Sequence, residues 1–214
     1  ELINKVNVYY YDGTMECMLH IMHKSKPKLI IHLASLFISE HKSNDVNELI
    51  KSNILFGVQM LEAMKSQGIN KLINTGTSWQ HYQNKEYNPV NLYASTKQAF
   101  EDILRYYVET SNLQVITLKL YDTYGPRDPR AKILSLLINN ALSGEKLLMT
   151  PGEQLIDLVH IDDVVSAFVT AGNYIFEFKQ NMDSYAISSG NQISVKLLVE
   201  IFSKVINKKL NVEW

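Results

Sequence analysis

Leu29-Ile30-Ile31-His32-Leu33-Ala34 and Lys71-Leu72-Ile73-Asn74-Thr75 are two short apolar runs with one long helical pattern between them. The first run follows Pro27 and reads as a buried strand; the second reads as the next strand. Between them, Val46–Gln67 places Leu49, Ile54, Val58, Leu61 and Met64 near one another at helical spacing, and Gly68 supplies a stop signal. Strand, helix, strand in that order is a βαβ unit, which requires parallel strands.

The pattern continues outward from this unit. Leu92–Ser111 reads as a helix after an Asn88-Pro89 turn, Val115–Leu120 as a strand, and Ala131–Leu142 as a helix ending at Gly144. Val164–Ala171 and Val195–Val205 are two further helices. Shorter strands are expected at Lys146–Met149, Leu158–His160 and Tyr185–Ile187. Strands recurring with crossover helices predict an α/β fold with a Rossmann-like, doubly wound parallel sheet, whose ligands sit beyond the carboxyl ends of the strands. From about Tyr124 the alternation is less regular. This divides the chain into residues 1–123, a dinucleotide-binding domain with catalytic residues, and residues 124–214, mainly a smaller C-terminal substrate lobe interleaved with the last sheet elements.

Bulk composition excludes several classes. The 214 residues are 46% hydrophobic, enough for a sizeable core, and the formal net charge is -1. A polyanionic partner such as nucleic acid is therefore not expected. No apolar run approaches the ~18 residues needed to span a bilayer, and no signal peptide is visible. A single cysteine, Cys17, cannot form an internal disulfide, so a cytoplasmic protein without a membrane partner is expected. The six histidines are scattered without a metal-ligand spacing, and no metal is expected.

The chemistry centres on Tyr93-Ala94-Ser95-Thr96-Lys97. Tyr93 and Lys97, four residues apart near a helix start, share one face. A nearby ammonium favours the phenolate and lowers a phenol's pKa, and the positive helix N-terminus acts in the same direction. Such a tyrosine can exchange a proton near neutral pH; the bland alternative is an exposed pair on a helix surface. The pair follows a strand ending in Asn74-Thr75-Gly76-Thr77-Ser78, where hydroxyls can hydrogen-bond a substrate carbonyl oxygen. The alternative reading is that those hydroxyls do no more than satisfy a turn.

These stretches together resemble the extended short-chain dehydrogenase/reductases of the NAD-dependent epimerase/dehydratase family. Ile30–Ser35 resembles the family's fourth-strand cofactor segment, and Asn53-Ile54-Leu55-Phe56-Gly57 its helix motif. Leu120-Tyr121-Asp122-Thr123-Tyr124-Gly125-Pro126 resembles the strand and loop after the triad helix. Gly152-Glu153-Gln154 through Asp157–Val165 resembles the substrate-lobe segment. The resemblance implies that Thr77, Tyr93 and Lys97 form the Ser/Thr–Tyr–Lys triad, with Asn53 supporting the helix behind Lys97. Tyr93 would exchange a proton at a sugar C4 oxygen that Thr77 also bonds, with Ser78 as the fallback. Lys97 would hold the nicotinamide ribose of NAD or NADP. Leu33, Ala34, Ser35, Asn53, Thr75, Leu120 and Thr123 would line that cofactor. Asp12 resembles the acidic residue that caps the adenine, although a plain turn aspartate before Gly13 reads as well.

Three departures from the family pattern bear on the reading. The nine glycines never form a glycine-rich dinucleotide loop, so the first βαβ unit is expected to precede residue 1, and the end too looks short. Ser78 and Trp79 stand where 4,6-dehydratases carry an Asp-Glu pair, which speaks against dehydration. Ile156 stands where an arginine often clamps the diphosphate, leaving Arg127, Arg130 and Lys132 as the candidate cations. With Trp79 and Asp122, these complete the expected substrate contacts; a solvated loop is the alternative for the cations. His81 is the histidine best placed to approach the sugar.

Within the family, the chain resembles the 4-ketoreductases that make CDP-linked 3,6-dideoxyhexoses, the CDP-abequose and CDP-paratose synthases. The resemblance implies reduction of a nucleotide-linked 4-keto-deoxyhexose, CDP-sugar favoured, in O-antigen-type lipopolysaccharide biosynthesis. A nucleotide-sugar 4-epimerase with tightly bound NAD is the alternative, and a catalytically inactive nucleotide-binding family member the second. A homodimer through a four-helix interface of the Val46 and Leu92 helices is also implied.

Overall fold

A computed structural model describes residues 5–128, 130 and 132–214. Helix α1 (Met15–Ser25) precedes strand β1 (Ile30–His32). Helices α2 (Val46–Ile50) and α3 (Phe56–Ser66) lead to strand β2 (Lys71–Thr77), and helix α4 (Leu92–Ser111) leads to strand β3 (Gln114–Leu120). There follow β4 (Asp122–Tyr124), α5 (Ile133–Ser143), β5 (Leu147–Leu148), β6 (Leu155–His160) and α6 (Ile161–Tyr174). The chain closes with β7 (Met182–Ile187), β8 (Gln192–Ser194), α7 (Val195–Val205) and β9 (Val212–Glu213). The expected alternation of strands and crossover helices is what the chain forms.

The chain makes two compact units, one of Glu1–Lys119 with Ala167–Ala186 and one of Leu120–Ser166 with Ile187–Trp214. In the first unit, the sheet runs in the order β1-β2-β3-β7. Strands β1 and β2 pair in parallel, with Ile30 opposite Leu72, Ile31 opposite Ile73 and His32 opposite Asn74. The core on this sheet joins Met18 and Met22 of α1, Met60, Leu61 and Met64 of α3, Leu72 of β2, and Phe100 and Leu104 of α4. Helix α1 was not anticipated from the sequence. Its signals are a Thr14 N-cap, whose hydroxyl accepts from the Cys17 amide, and Met15, Met18 and Met22 at helical spacing.

In the second unit, β4 and β6 pair in parallel and β6 and β8 antiparallel, while β5 and β9 form a separate parallel pair. Its core gathers Leu137 of α5, Leu198 and Val199 of α7, and Leu210. The helix expected from Ala131 starts at Ile133; Ala131 itself lies outside the described residues.

Two expectations need correction. The strand expected over Leu29–Ala34 covers only Ile30–His32, so Leu33, Ala34 and Ser35 leave the sheet and are exposed. The single helix expected over Val46–Gln67 is interrupted by a π-helical turn at Lys51–Leu55. Hydrophobic periodicity does not register one extra residue in a turn. Such turns are often found at functional sites, and this one carries Asn53 fully inward, at 2% exposure.

Below the π turn, α3 meets α4 at Gly57. A β-carbon there would clash with the Phe100 ring, at 2.6 Å from Cζ and closer still to Cε2. Phe100 is 1% exposed and has little room to retreat. Gly57→Ala is expected to lower the unfolding free energy by about 1–3 kcal/mol through overpacking. That sign is opposite to alanine's helix-propensity advantage of about 1 kcal/mol. Urea unfolding of the two proteins checks it; equal or greater stability of the variant would remove the glycine's packing role.

Candidate active site

Two side chains hold the loop after β1, Asn53 near its start and Asn91 further along. Asn53 Oδ1 accepts from the Leu36 amide at 2.7 Å and from Ser35 Oγ at 3.2 Å, and its Nδ2 donates to the Leu36 carbonyl at 3.0 Å and to Thr96 Oγ1 at 3.0 Å. Thr96 in turn donates to the Tyr93 carbonyl at 2.7 Å. The Asn53 carboxamide therefore joins the end of β1 to the first turn of α4. Asn91 caps that turn, accepting from the Ala94 amide at 3.0 Å and donating to the Ser39 carbonyl at 2.9 Å.

On α4, Tyr93 is partly exposed and Lys97 is 4% exposed, with the ammonium 6.0 Å from the centre of the Tyr93 ring. Burial pushes the Lys97 ammonium down to about 8, and the Glu101 carboxylate one turn further along works against that shift. His32, at the end of β1, is also buried, between the rings of Phe56 and Phe100 with centroids 5.7 and 5.2 Å away. Burial first, and then the charge of Lys97, lower its imidazole to about 4.

At the end of β2, Thr77 begins a short helical turn, Ser78–Gln80. Thr77 Oγ1 accepts from the Trp79 amide at 3.3 Å, and the Thr77 amide donates to Gln80 Oε1 at 2.9 Å, half of a capping box whose other half joins the Thr77 side chain to the Gln80 amide. So Thr77 does satisfy a turn, as the bland alternative held, but its hydroxyl proton remains to be donated elsewhere. Thr75 is used differently: its hydroxyl donates to the His32 carbonyl at 2.8 Å and ties β2 to β1. Trp79 and Tyr93 both meet Phe37 edge-on, with centroids 5.5 and 5.0 Å from it. Phe37 escaped the sequence reading, because an aromatic in a loop five residues past a strand has no periodicity to mark it. His81 has both ring nitrogens engaged, Nε2 by the Lys119 ammonium at 2.6 Å and Nδ1 at the Lys85 carbonyl at 3.2 Å.

The remaining sequence candidates make contacts of their own. Asp12 is exposed and accepts from the amide and hydroxyl of Thr14 at 2.9 and 2.7 Å, which holds its carboxyl below the usual range. In the second unit, Arg130 forks onto Asp128 with two contacts of 2.7 Å, Lys132 donates to the Thr123 carbonyl at 2.9 Å, and Arg127 is exposed at a positive φ of 62°. Arg127 and Arg130 line a groove of about 400 Å³ together with Gly125, Ser135 and Asn139. Burial raises the Asp122 carboxyl, opposed by Lys132. Leu120 ends β3, and Thr123 is 9% exposed in β4.

The profile of the NAD dependent epimerase/dehydratase family matches residues 2–184. The chain belongs to that family. It is 32% identical over 161 residues to a CDP-abequose synthase of Yersinia pseudotuberculosis, covering 75% of this chain and 56% of that protein. It is 27% identical to the CDP-abequose synthase of Salmonella muenchen, covering 86% and 62% of the two chains. The chain thus spans little more than half the length of these curated relatives. The crystal structure of UDP-glucose 4-epimerase with UDP-glucose from Thermotoga maritima aligns with a TM-score of 0.84 at 23% identity, over 99% of this chain and 74% of that one. That likeness bears on the fold, which is the expected Rossmann-like α/β fold. No helix among the described residues is long and apolar enough to cross a membrane.

The buried titrating groups give a pH signature. His32 binds its proton more weakly in the folded state, about 4 against 6.5 in the unfolded chain. Its contribution to stability is complete above pH 6.5 and is lost as pH falls from 6.5 to 4, by about 3 kcal/mol at most. A His32→Leu variant should lack this part of the acid slope in urea unfolding between those pH values. Identical slopes in both proteins would mean that His32 is not buried as described.

Proposed function

We propose that this chain carries the catalytic residues of a nicotinamide-dependent enzyme that reduces a nucleotide-linked 4-keto-deoxyhexose, a CDP-sugar being favoured. One observation carries the reading: α4 places Tyr93 beside a buried Lys97, and the Thr77 turn is hydrogen-bonded to the same helix through Gln80. The identity to CDP-abequose synthases supports the reductase form of the reading and, with it, a place in lipopolysaccharide-type deoxysugar synthesis.

The residues present fit a nicotinamide dinucleotide. Leu33 is 62% exposed at the carboxyl end of β1, where a sheet of this type takes its ligand. Lys97 is a buried cation whose shift is opposed by a carboxylate a full turn away, and hydroxyls of a ribose are suitable acceptors for it. Leu33, Ala34, Ser35, Thr75 and Lys97 would hold the cofactor, with Asp12, Leu120 and Thr123 as further contacts. When bound, the reduced nicotinamide supplies hydride. Tyr93 gives its phenolic proton to the C4 oxygen as the carbonyl is reduced, and Thr77 donates a hydrogen bond to that oxygen. Lys97 favours the phenolate that Tyr93 leaves behind. Asn53 touches no reacting atom; it positions α4.

Ser78 and Trp79 bring no carboxylate to the turn, so the acid and base that water elimination needs are not supplied there. A 4-epimerase is the second reading, supported by 29% identity over 160 residues to a UDP-glucose 4-epimerase of Mycolicibacterium smegmatis. The inactive-binder reading is the weaker one, because binding alone would not require Thr77, Tyr93 and Lys97 together. In the same proposal, residues 1–123 serve the cofactor and residues 124–214 mainly the sugar nucleotide, with Arg127, Arg130 and Lys132 facing the diphosphate. A cytoplasmic homodimer through α2–α4 belongs to it as well, with Val46, Ile50 and Tyr106 exposed on those helices.

The test is an assay with CDP- and UDP-linked 4-keto sugars, following NADH and NADPH separately. A reductase consumes reduced cofactor in proportion to product, whereas an epimerase leaves it unchanged. Tyr93→Phe should lower kcat at least about 10²-fold, the scale of a lost general acid, while nucleotide binding is spared. Turnover unchanged by that substitution would end the assignment of Tyr93.

A further inference from the structure

Behind the Thr77 turn lies a buried chain of polar side chains that the chemistry above does not use. Gln80 is 0% exposed. Its Oε1 accepts from the Thr77 amide at 2.9 Å, and its Nε2 donates to Glu101 Oε1 and to Gln98 Oε1, each at 2.9 Å. The other oxygen of Glu101 is paired with the Lys119 ammonium at 3.2 Å, with side chains 9% and 14% exposed. Lys119 in turn meets His81 Nε2 at 2.6 Å. Nε2 accepts a hydrogen bond from that ammonium, and Nδ1 faces the Lys85 carbonyl at 3.2 Å, which suits a donor there.

A turn needs no such apparatus merely to close. A buried ion pair costs several kcal/mol of desolvation per ion, and hydrophobic residues of similar volume often serve stability equally well. What the chain does provide is geometry. Glu101 is two turns beyond Tyr93 and one beyond Lys97 on the same helix. Through Gln80 it holds the backbone of Thr77, so both sides of the site are referred to one helix face. Gly76 lies directly over this junction. A β-carbon there would stand 2.9 Å from Glu101 Oε1, 3.0 Å from Gln80 Oε1 and 3.0 Å from Lys119 Cγ.

We infer that Gln80, anchored by the Glu101–Lys119 pair, is a positioning residue that sets the Thr77 hydroxyl against the oxygen receiving the Tyr93 proton. The inference rests on the reading of the site given above. Gln80 acts through Thr77, and Lys119 and His81 brace Glu101 from the opposite side. An apolar side chain at position 80 would leave the Thr77 amide without its acceptor, and the turn could then shift by the fraction of an ångström that matters to a reacting geometry.

A double-mutant cycle tests this. Gln80→Met should lower kcat about tenfold with KM changed less than about twofold, since the loss falls on the reacting geometry. In a Thr77→Ala background the same substitution should cost nothing further. An equal loss in both backgrounds, or a loss confined to KM, overturns the proposal. Gly76→Ala, a single methyl pressed onto the junction, is the second variant should Gln80→Met fail to fold. It is expected to lower kcat severalfold, again only where Thr77 is present, and additivity would again overturn the proposal. Amide hydrogen exchange at Thr77 needs no turnover and should quicken at least tenfold in either variant; an unchanged rate rejects the positioning role. If Tyr93→Phe retains full turnover, the reading of the site fails. If Tyr93→Phe is inactive but the cycle is additive, only the role of Gln80 fails.

Discussion

The carboxamide of Asn53 is the constraint on which the arrangement of the first unit turns. One planar group bonds two consecutive loop residues after β1, Ser35 and Leu36, and the Thr96 hydroxyl on α4. It reaches them because the helix carrying it contains a π-helical turn at Lys51–Leu55. An unbroken α-helix would direct residue 53 elsewhere on its circumference. A buried amide left with unmet donors or acceptors costs about 1–3 kcal/mol per group, so the loop and the two helices are fixed by the same set of bonds.

With that frame in place, the interior around α4 is more polar than a sheet-facing helix usually is. Thr96, Lys97 and Glu101 are all buried on it. They tolerate burial for different reasons. Thr96 is bonded on both sides, to Asn53 and to the Tyr93 carbonyl. Glu101 is paired with Lys119 and receives Gln80. Lys97 pays for its position with a pKa displaced by desolvation. A charge held under that penalty favours any arrangement that brings an acceptor or an anion to it. The apolar packing of Gly57 on Phe100 brings α3 close to α4.

Much of this was legible from the sequence, and the parts that were not have identifiable causes. Helix α4 and helix α7 were read to their end residues, because each begins after a polar turn and carries a long amphipathic pattern. The strands flanking the first crossover were legible as apolar runs. The π turn was not, since periodicity averaged over about twenty residues absorbs a one-residue insertion. Gln80, Glu101 and Lys119 escaped for another reason: polar residues on an amphipathic pattern read as solvent-facing unless their partners are known. Gln80 did carry one local clue, because Thr77-Ser78-Trp79-Gln80 has the spacing of a capping box. Phe37 had no local signal at all; its role comes from the chance of two other aromatics, Trp79 and Tyr93, arriving from distant segments.

The same turn narrows the chemistry. Elimination of water from a sugar asks for an acid and a base placed on either side of the bond that breaks, in addition to the group that handles the C4 oxygen. In this chain the positions after Thr77 hold a hydroxyl and an indole, and the indole is packed against Phe37, which also meets Tyr93. A hydroxyl and an indole do not make the carboxylic acid and carboxylate pair that elimination would use. His81 is turned to Lys119 and the Lys85 carbonyl, which engage its two nitrogens. In the proposed reaction, proton transfer in this group of residues falls to Tyr93, with the buried Lys97 behind it. That inventory suits a reaction that exchanges one proton at one oxygen, whether the hydride moves once, as in a reductase, or out and back, as in an epimerase.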